Sequence, residues 1–465
     1  MTTAEWRVRS FGAALGRFLS ALARVSPVAG LVALGLTSCA ALGQVPPFHE
    51  IERDLPGGVT EERSAFGLIE RRTRPDGALE AAVRPFVVER SEPNGPFVRT
   101  ILPPIATQTV TDIRRRTTVW PLFGSDSIGD DAERAKGETD DDTMLLPFVG
   151  WGSEPGQRDW WMAFPLGGHL EQKLFSDQID FVAFPIWATT RTGEWRSTHV
   201  LWPLIAWGEG EGRTHARFLP FWSQSDSPNA SKRTAAWPFV HWGTANHGDR
   251  TFDGWFVFPF VGHRTSRDGT YAEWTALWPF FEWSDDASNG DRYRAILWPF
   301  HKQMDRPEKH ESSTWWWPFH GNYRSEQETS EFWAWPVVWK AIRQDGARVS
   351  RRTFVVPFWM ERESGAAGMP PDRREVRSWP FFSFERTPDG GQTVRVPEII
   401  PFFGWPSGEM AWADLVTVFK WRSDRDGRAA WDGPLGGIVR WRRDAAGASK
   451  LTLLWWIDIP TGSAP

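Results

Sequence analysis

Apolar residues cluster around proline at a regular interval along this chain. Between Pro121 and Pro401, an apolar residue, proline and usually a second apolar or aromatic residue recur fifteen times, with a mean spacing of 20 residues. Trp278-Pro279-Phe280 and Trp298-Pro299-Phe300 are typical copies. A short fixed period indicates one structural unit copied many times, with each unit burying its apolar surface on its neighbours.

One polar turn signal separates most consecutive copies. Ser266-Arg267-Asp268-Gly269 and Ala287-Ser288-Asn289-Gly290 lie between aromatic runs, and Asp-Gly and Asn-Gly in that setting predict hairpin turns. The pattern does not favour a helix, because proline would interrupt it in every repeat. With five further copies that flank the fifteen, the pattern predicts an all-β antiparallel meander of about 20 strands.

The proline within each repeat has two structural interpretations. Proline cannot donate to a strand ladder and is normally found at sheet edges or bulges. A β-bulge at each cassette would keep one long bent strand per repeat, and this is the arrangement that we predict. The alternative is that each Trp-Pro pair marks a corner that divides the repeat into two short strands.

The apolar pattern also bears on how the sheet is arranged. Around Pro279, Trp278 and Phe280 alternate with Leu277 and Phe281, so both strand faces are apolar and both should be covered. Open twisted sheets rarely exceed about 10 strands. We therefore expect the sheet to be closed or curled into a barrel-like form.

The start of the chain carries a different signal. Arg7, Arg9, Arg17 and Arg24 precede the uncharged stretch 25–38, which is too short to span a bilayer as a helix but fits a secretory leader. The stretch ends in Leu36-Thr37-Ser38-Cys39, which resembles the lipobox of bacterial lipoproteins.

The lipoprotein resemblance implies removal of residues 1–38 as a signal peptide and acylation of Cys39, which would hold the protein to a membrane through lipid. Several acyl chains anchor stably where one does not. Ala40 stands where an aspartate commonly retains lipoproteins at the inner membrane, so the resemblance favours the outer membrane.

The remaining chain divides into two segments by composition. Residues 39–60 include Pro46, Pro47, Pro56, Gly57 and Gly58 and are predicted to be a tether. Residues 61–465 form the predicted tandem β-repeat domain, in which 125–143 is an acidic loop insertion. A net charge of −5 does not favour nucleic-acid binding. Cys39 is the only cysteine, so no intramolecular disulfide is possible.

No recognisable catalytic or cofactor-binding motif occurs in the sequence, and we predict a protein without enzymatic activity, cofactor or metal. The acidic loop lacks the spacing of a calcium site and is predicted to be solvated. His241, His263, His301 and His320 follow repeat prolines by two to four residues. They are either a column across neighbouring strands or, as we predict, polar residues near strand ends.

Tryptophan is the candidate binding residue because the chain has 32 tryptophans and only 3 tyrosines. Five of them lie four residues after a repeat proline: Trp151, Trp207, Trp242, Trp283 and Trp405. Such residues either form an exposed stripe that stacks on sugar rings of envelope glycans or pack in the core of the repeats, which the repeat architecture favours.

Together these features predict a lipid-anchored protein of the bacterial cell envelope whose β-repeat scaffold has a structural role or binds a glycan or protein. The alternative is an outer-membrane-spanning β-barrel that acts as a pore or export component. Aromatic residues peak in the middle of the repeats rather than in two interfacial girdles, which argues against spanning.

Overall fold

The computed structural model describes residues 45–400 and 405–462. The predicted leader 1–38 and Cys39 lie outside the described residues. The chain forms two compact units. The described part of unit 1 comprises residues 45–146, 151–155, 355–400 and 405–462, and unit 2 comprises 147–150 and 156–354.

The described residues form an antiparallel all-β meander with 41 strands. The first group is β1 (His49–Leu55), β2 (Val59–Ser64), β3 (Ile69–Thr73), β4 (Leu79–Val83), β5 (Val87–Ser91), β6 (Phe97–Ile101), β7 (Ala106–Val110), β8 (Arg114–Val119), β9 (Phe123–Ile128), β10 (Asp140–Leu145) and β11 (Val149–Ser153).

The middle group of strands follows: β12 (Trp160–Ala163), β13 (Gly167–Lys173), β14 (Ser176–Val182), β15 (Trp187–Thr192), β16 (Trp195–Val200), β17 (Ile205–Gly210), β18 (Arg213–Phe218), β19 (Trp222–Ser227), β20 (Ala230–Ala235), β21 (Val240–His247), β22 (Arg250–Val257), β23 (Val261–Ser266), β24 (Tyr271–Ala276), β25 (Phe281–Asp286), β26 (Asp291–Ile296), β27 (His301–Arg306), β28 (Glu311–Trp316), β29 (His320–Arg324), β30 (Glu328–Trp333), β31 (Val338–Asp345) and β32 (Arg348–Val355).

The last group is β33 (Trp359–Ala366), β34 (Arg373–Ser378), β35 (Phe382–Arg386), β36 (Gln392–Val396), β37 (Phe419–Ser423), β38 (Ala429–Asp432), β39 (Val439–Arg443), β40 (Ser449–Leu453) and β41 (Ile457–Gly462). In the part of the chain that the structure describes, helical structure is confined to Asp131–Lys136, Pro307–Lys309, Pro406–Gly408, a π-helical turn at Glu409–Ala413, Asp414–Val416 and Pro434–Gly437. Within residues 45–400 and 405–462, no helix has both the length and the apolar character needed to cross a membrane.

Each repeat of about 20 residues forms two strands, and the prediction of one bent strand is wrong. Between β24 and β25, Ala276 pairs with Phe281, and the N–H of Phe280 donates to the carbonyl of Leu277 at 2.9 Å. The Trp278–Pro279 peptide bond is cis. The chain therefore reverses at the proline, where no ladder donor is needed, and the corner alternative describes the structure.

Because each repeat contributes two strands, the predicted number of about 20 strands is also wrong. The all-β class and the antiparallel meander are confirmed. The sheet is not closed within the described residues, so the expectation of a closed barrel does not hold. Strand β1 pairs with β2 over His49–Ser64 and lies within 39–60, the segment that was predicted to be a tether.

The acidic insertion 125–143 is not a simple loop. Its two ends belong to β9 and β10, which pair from Asp140 to Leu145. Between them, the helix Asp131–Lys136 is capped by the side chain of Asp130, which accepts from the N–H of Glu133, and Glu133 returns a bond to the N–H of Asp130. This capping box explains why acidic residues occur at the beginning of the helix.

In unit 2 the meander places alternate turns on opposite sheet edges. The ten turns on one edge, here called the proline edge, span residues 164–166, 183–186, 201–204, 219–221, 236–239, 258–260, 277–280, 297–300, 317–319 and 334–337. The turns on the other edge, the polar edge, contain glycine, asparagine and charged residues. Leu174 and Phe175, between β13 and β14, are an apolar exception on the polar edge.

The two faces of the unit 2 sheet differ in exposure: Thr275 and Ala295 are buried on one face, whereas Trp255 and Trp274 are exposed on the other. On one face, here called the covered face, Phe256 lies opposite Gly262 in the ladder, and a Cβ on that glycine would be 2.5 Å from the Phe256 ring. Arg250 on β22 reaches Asp286 on β25 at 2.8 Å. Three strand intervals would separate them by about 14 Å in a flat sheet, so the sheet curls towards the covered face. The opposite face is here called the open face.

Candidate functional site

The open face of unit 2 carries a continuous line of rings across five adjacent strands. Ladder pairing joins Trp242 to Trp255, Trp255 to His263, His263 to Trp274, and Trp274 to Trp283. Direct cross-strand partners point to the same side of a sheet. We call these five residues the tryptophan row.

The indoles of the tryptophan row are accessible to ligand. Trp242 and Trp255 are 44% and 43% exposed, and Trp274 and Trp283 are both 38% exposed. The His263 ring lies 4.1 Å from the Trp274 ring at 40°, and Trp255 and Trp274 meet edge to face at 6.5 Å. The row extends over four strand intervals, or about 19 Å.

Polar groups flank the tryptophan row along the same line. Arg233 pairs with Trp242 in the ladder and forms an ion pair with Asp226 at 2.8 Å. At the other end, Arg294 pairs with Trp283 and contacts Asp285 at 2.8 Å. An apolar ring surface bordered by guanidinium and carboxylate groups can stack on a sugar ring and bond its hydroxyls.

Three of the five tryptophans singled out from the sequence lie along this line. Trp242 and Trp283 belong to the tryptophan row. Trp207 is 51% exposed and lies four strands away in the same register, through Ala216, Gln224 and Arg233. These three side chains are partly exposed on the open face and are not buried in a core.

The other two predicted tryptophans lie elsewhere. Trp151 is half-buried in β11. Trp405 precedes the helical turn Pro406–Gly408, and a Cβ on Gly408 would be 2.1 Å from its ring, so Trp405 packs over the backbone of that turn. Neither residue is among the partners that form the tryptophan row.

Sequence reasoning missed Trp255 and Trp274, which complete the row. Both precede a repeat proline, and each lies opposite a residue that follows the proline: His263 for Trp255 and Trp283 for Trp274. Once each proline is recognised as a chain reversal, residues at mirrored positions around it become cross-strand partners. Aromatic residues at mirrored positions on both sides of a proline were therefore the feature of the sequence that could have predicted the complete row.

The four histidines do not form a single column. His263 is in the tryptophan row, His301 and His320 lie two positions nearer the proline edge on the open face, and His241 lies on the covered face opposite Phe256. His301 and His320 pair with Trp316 and Trp333, with ring centroids 4.1 Å apart in both cases. Among the residues that the structure describes, no group of three or more His, Cys, Asp or Glu could hold a metal ion.

A second candidate region is a cavity of about 980 Å³ lined largely by the covered face of unit 2. His215, Arg217, Arg264 and Glu273 contribute to its lining. Burial, and then the nearby Arg217 guanidinium, lower the pKa of His215, so its imidazole is neutral at neutral pH. The lining combines these hydrogen-bonding groups with apolar side chains such as Phe252, Phe256 and Trp278.

Unit 1 contains a buried cluster of charges that the sequence did not predict. It joins the early strands β2 and β3 to the late strands β37 and β38. The carboxylate of Glu61 accepts from Arg422 at 3.1 Å, and Arg63 and Arg422 contact Asp432 at 3.4 and 2.9 Å. We call this set, together with the contacts of Asp414, the charge cluster.

Asp414 lies at the centre of the second half of the charge cluster. Arg72 and Arg84 both donate to its Oδ2 at 3.1 Å, and Lys420 donates to its Oδ1 at 3.0 Å. These cations hold the pKa of Asp414 well below its usual value against the opposing effect of burial. Burial and the adjacent Arg72 lower the pKa of Lys420 to about 8.

A cavity of about 280 Å³ adjoins the charge cluster and is lined by Arg72, Arg84, Asp414 and Lys420 among others. Each of these four side chains already has an oppositely charged partner. The arrangement is that of a structural contact between distant parts of unit 1, because its charges satisfy one another.

No protein-family model matches the chain, and no curated protein matches it in sequence.

Proposed function

We propose that this chain is a non-catalytic protein of the bacterial cell envelope, anchored by lipid at Cys39, whose open face binds glycan. The tryptophan row is the observation that carries the binding part of this proposal. The lipobox-like Leu36-Thr37-Ser38-Cys39 supports the anchoring part.

The tryptophan row is suited to glycans for a physical reason. Indole rings provide large apolar surface with little conformational entropy to lose, and each retains one N–H donor. Four of them in ladder register form a fixed platform on strands, which hold their positions better than loops. A chain of sugar units can contact several rings at once, so weak individual contacts add along the row.

The experiment uses the chain from residue 40, secreted without lipid, which contains every described strand. Binding to solubilised peptidoglycan fragments and to lipopolysaccharide core oligosaccharides is measured by calorimetry, after a screen on a glycan array. Replacing Trp255 and Trp274 together by Ala should reduce affinity at least tenfold, because the platform loses its central rings.

The matched control is Trp315→Phe. Trp315 belongs to β28 and pairs with Gly321 and Lys302 on the covered face, so its replacement should leave glycan affinity unchanged. Equal losses in both variants, or no binding of any glycan by the unaltered chain, would contradict the glycan proposal.

Anchoring is tested separately in the full chain. Mass spectrometry of the mature protein should find a diacylglycerol-modified, N-acylated Cys39 at the amino terminus. A mature terminus at another residue, without acylation, would refute the anchoring part and leave the glycan part standing.

A further inference from the structure

The proline edge of unit 2 is apolar throughout. Its ten turns contain only Ala, Val, Leu, Ile, Phe, Trp and Pro. Leu166, Phe221, Phe260 and Phe319 at these turns are 76%, 65%, 61% and 74% exposed. With aromatic side chains of about 150–250 Å² each, some twenty half-exposed residues present on the order of 1,500–2,000 Å².

An exposed apolar surface of that size needs a partner. The largest apolar patch on a typical soluble monomer is about 300–600 Å². Because the meander puts every proline turn on the same edge, the exposed residues form one continuous line rather than scattered contacts. In the turns of the opposite edge of unit 2, Leu174 and Phe175 are the only large aliphatic or aromatic side chains.

Polarity changes in steps away from the proline edge. Next to the turns on the open face, Val257, Val261, Ala276, Phe281 and Ile296 form an apolar line of ladder partners across β22 to β26, and His301 and His320 continue that line on β27 and β29. The tryptophan row comes two positions further. Two residue positions beyond the tryptophan row, the ladder partners are mostly polar: Asp253, Thr265, Ala272, Asp285 and Arg292.

Backbone N–H groups of the proline edge form hydrogen bonds with neighbouring turns. The N–H of Leu277 donates to the carbonyl of Phe260 at 2.8 Å, and the N–H of Trp278 to that of Pro259 at 2.7 Å. Leu201 and Trp202 bond the preceding turn in the same way. These N–H groups therefore donate to the preceding turn rather than to water, which lowers the cost of placing this backbone in hydrocarbon.

We propose that the proline edge of unit 2 inserts into the acyl-chain region of one membrane leaflet. Elements that lie in a membrane interface bury to about 5–10 Å. The turn and its flanking apolar line extend about 7 Å along the strand. Glu282 and Lys302 on the covered face are three residues from their prolines, about 10 Å, and they set the limit of insertion at the headgroups.

Acyl chains fit this edge better than a folded protein does. A protein interface of this area would carry about one hydrogen bond per 100–200 Å² and a polar rim, whereas the ten turns offer no polar side chain other than the indole N–H of tryptophan. Indole groups close to a headgroup layer are typical of membrane interfaces. This inference does not depend on glycan binding by the tryptophan row.

The test is flotation of the unlipidated chain from residue 40 with vesicles of phosphatidylcholine, and with vesicles of phosphatidylethanolamine and phosphatidylglycerol. We expect the chain to float with both. Replacing Phe221, Phe260 and Phe319 together by Ser should reduce the floating fraction at least tenfold. The control variant Leu174→Ser with Phe175→Ser removes an apolar turn of at least similar exposure from the polar edge and should float like the unaltered chain.

A second readout reports the inserted residues directly. The chain from residue 40 has no cysteine, so Phe260→Cys or Phe175→Cys can carry a single polarity-sensitive fluorophore. Vesicles should shift the emission to the blue at position 260 and leave it unchanged at 175. Absence of flotation, an equal effect of both edges, or a dimer that dissociates when Phe221, Phe260 and Phe319 are replaced, without any lipid binding, would overturn the inference.

Discussion

At the residue scale, small residues let the strands approach closely on the covered face of unit 2. Gly168, Gly262 and Gly321 lie opposite Phe181, Phe256 and Phe332 in the ladders. In each pair the phenyl ring occupies the space where a Cβ would be, at 2.2–2.5 Å. At these three pairs, each glycine makes room for the phenyl ring of the neighbouring strand.

Gly243 gives the sharpest test of this close approach. A Cβ on Gly243 would be 2.1 Å from the backbone oxygen of Ser231, and backbone cannot rotate away as a side chain can. We expect Gly243→Ala to destabilise unit 2 by about 1–3 kcal/mol through overpacking, measured by urea unfolding.

The control for Gly243 is Gly124→Ala in β9. An added Cβ there would meet no atom within 4 Å, and alanine reduces the conformational entropy of the unfolded chain. Stability should remain unchanged or rise slightly. Similar losses at both positions would show that strand glycines are needed for a reason other than space.

At the element scale, the hairpin rather than the single strand is the repeated unit. The sequence indicated this period correctly, together with the antiparallel meander and the polar turns such as Ala287–Gly290. It did not reveal that the proline turns the chain, because a missing N–H is equally compatible with a bulge and with a reversal. The tryptophan row was half recognised for the same reason: Trp242 and Trp283 were identified, and their partners across the turn were not.

A deletion that respects the hairpin tests this unit. Removing residues 281–300 joins Leu277-Trp278-Pro279-Phe280 to His301 and recreates the natural junction Leu297-Trp298-Pro299-Phe300-His301. The shortened chain should fold to an all-β structure with a cooperative transition, judged by circular dichroism and thermal unfolding.

Removing only residues 281–290 is the counterpart of that deletion. It takes out β25 and the polar turn that follows it, so every later strand would run in the opposite direction relative to the strands before the deletion, and every later proline turn would move to the polar edge. We expect this chain to aggregate or to unfold at a much lower temperature. Equal behaviour of the two deletions would mean that the hairpin is not the unit of folding.

At the scale of the whole molecule, unit 1 is held by contacts between residues more than 300 positions apart. Besides the charge cluster, Arg442 contacts Glu52 at 2.7 Å, and the indole of Trp412 donates to the carbonyl of Pro103 at 3.1 Å. The local pattern of polar and apolar residues does not predict such long-range contacts. In β37, Lys420 and Arg422 alternate with Phe419 and Trp421, and ordinary patterning would assign the charged side to solvent.

Asp414→Asn tests the charge cluster. The variant leaves Arg72, Arg84 and Lys420 short of a carboxylate in a buried setting, and breaking one member of such a group costs about 3–5 kcal/mol. We expect a loss of that size at pH 7 in the unfolding free energy of unit 1. Asp458→Asn, in an exposed pair with Lys450 at 3.1 Å, should change stability little.

The effect of Asp414→Asn should depend on pH in a defined direction. The pKa of Asp414 is depressed in the folded protein, so its contribution is present above the unfolded pKa of about 4 and is lost as pH falls through the folded pKa. Stability curves of the two proteins should converge in acid. A difference that stays constant down to pH 2 would show that Asp414 acts through packing alone.

In unit 2, each hairpin pairs with the hairpins before and after it in the sequence, and this affects how the length of such a chain can change during evolution. Duplication or loss of gene segments of about sixty base pairs would add or remove one hairpin of about 20 residues. The apolar turns would then remain on the proline edge and the charged turns on the polar edge. Gain or loss of about thirty base pairs would add or remove a single strand, and the later apolar and charged turns would exchange edges. Related genes should therefore differ in length by whole hairpins, whereas the early and late strands that contact one another in unit 1 should be retained.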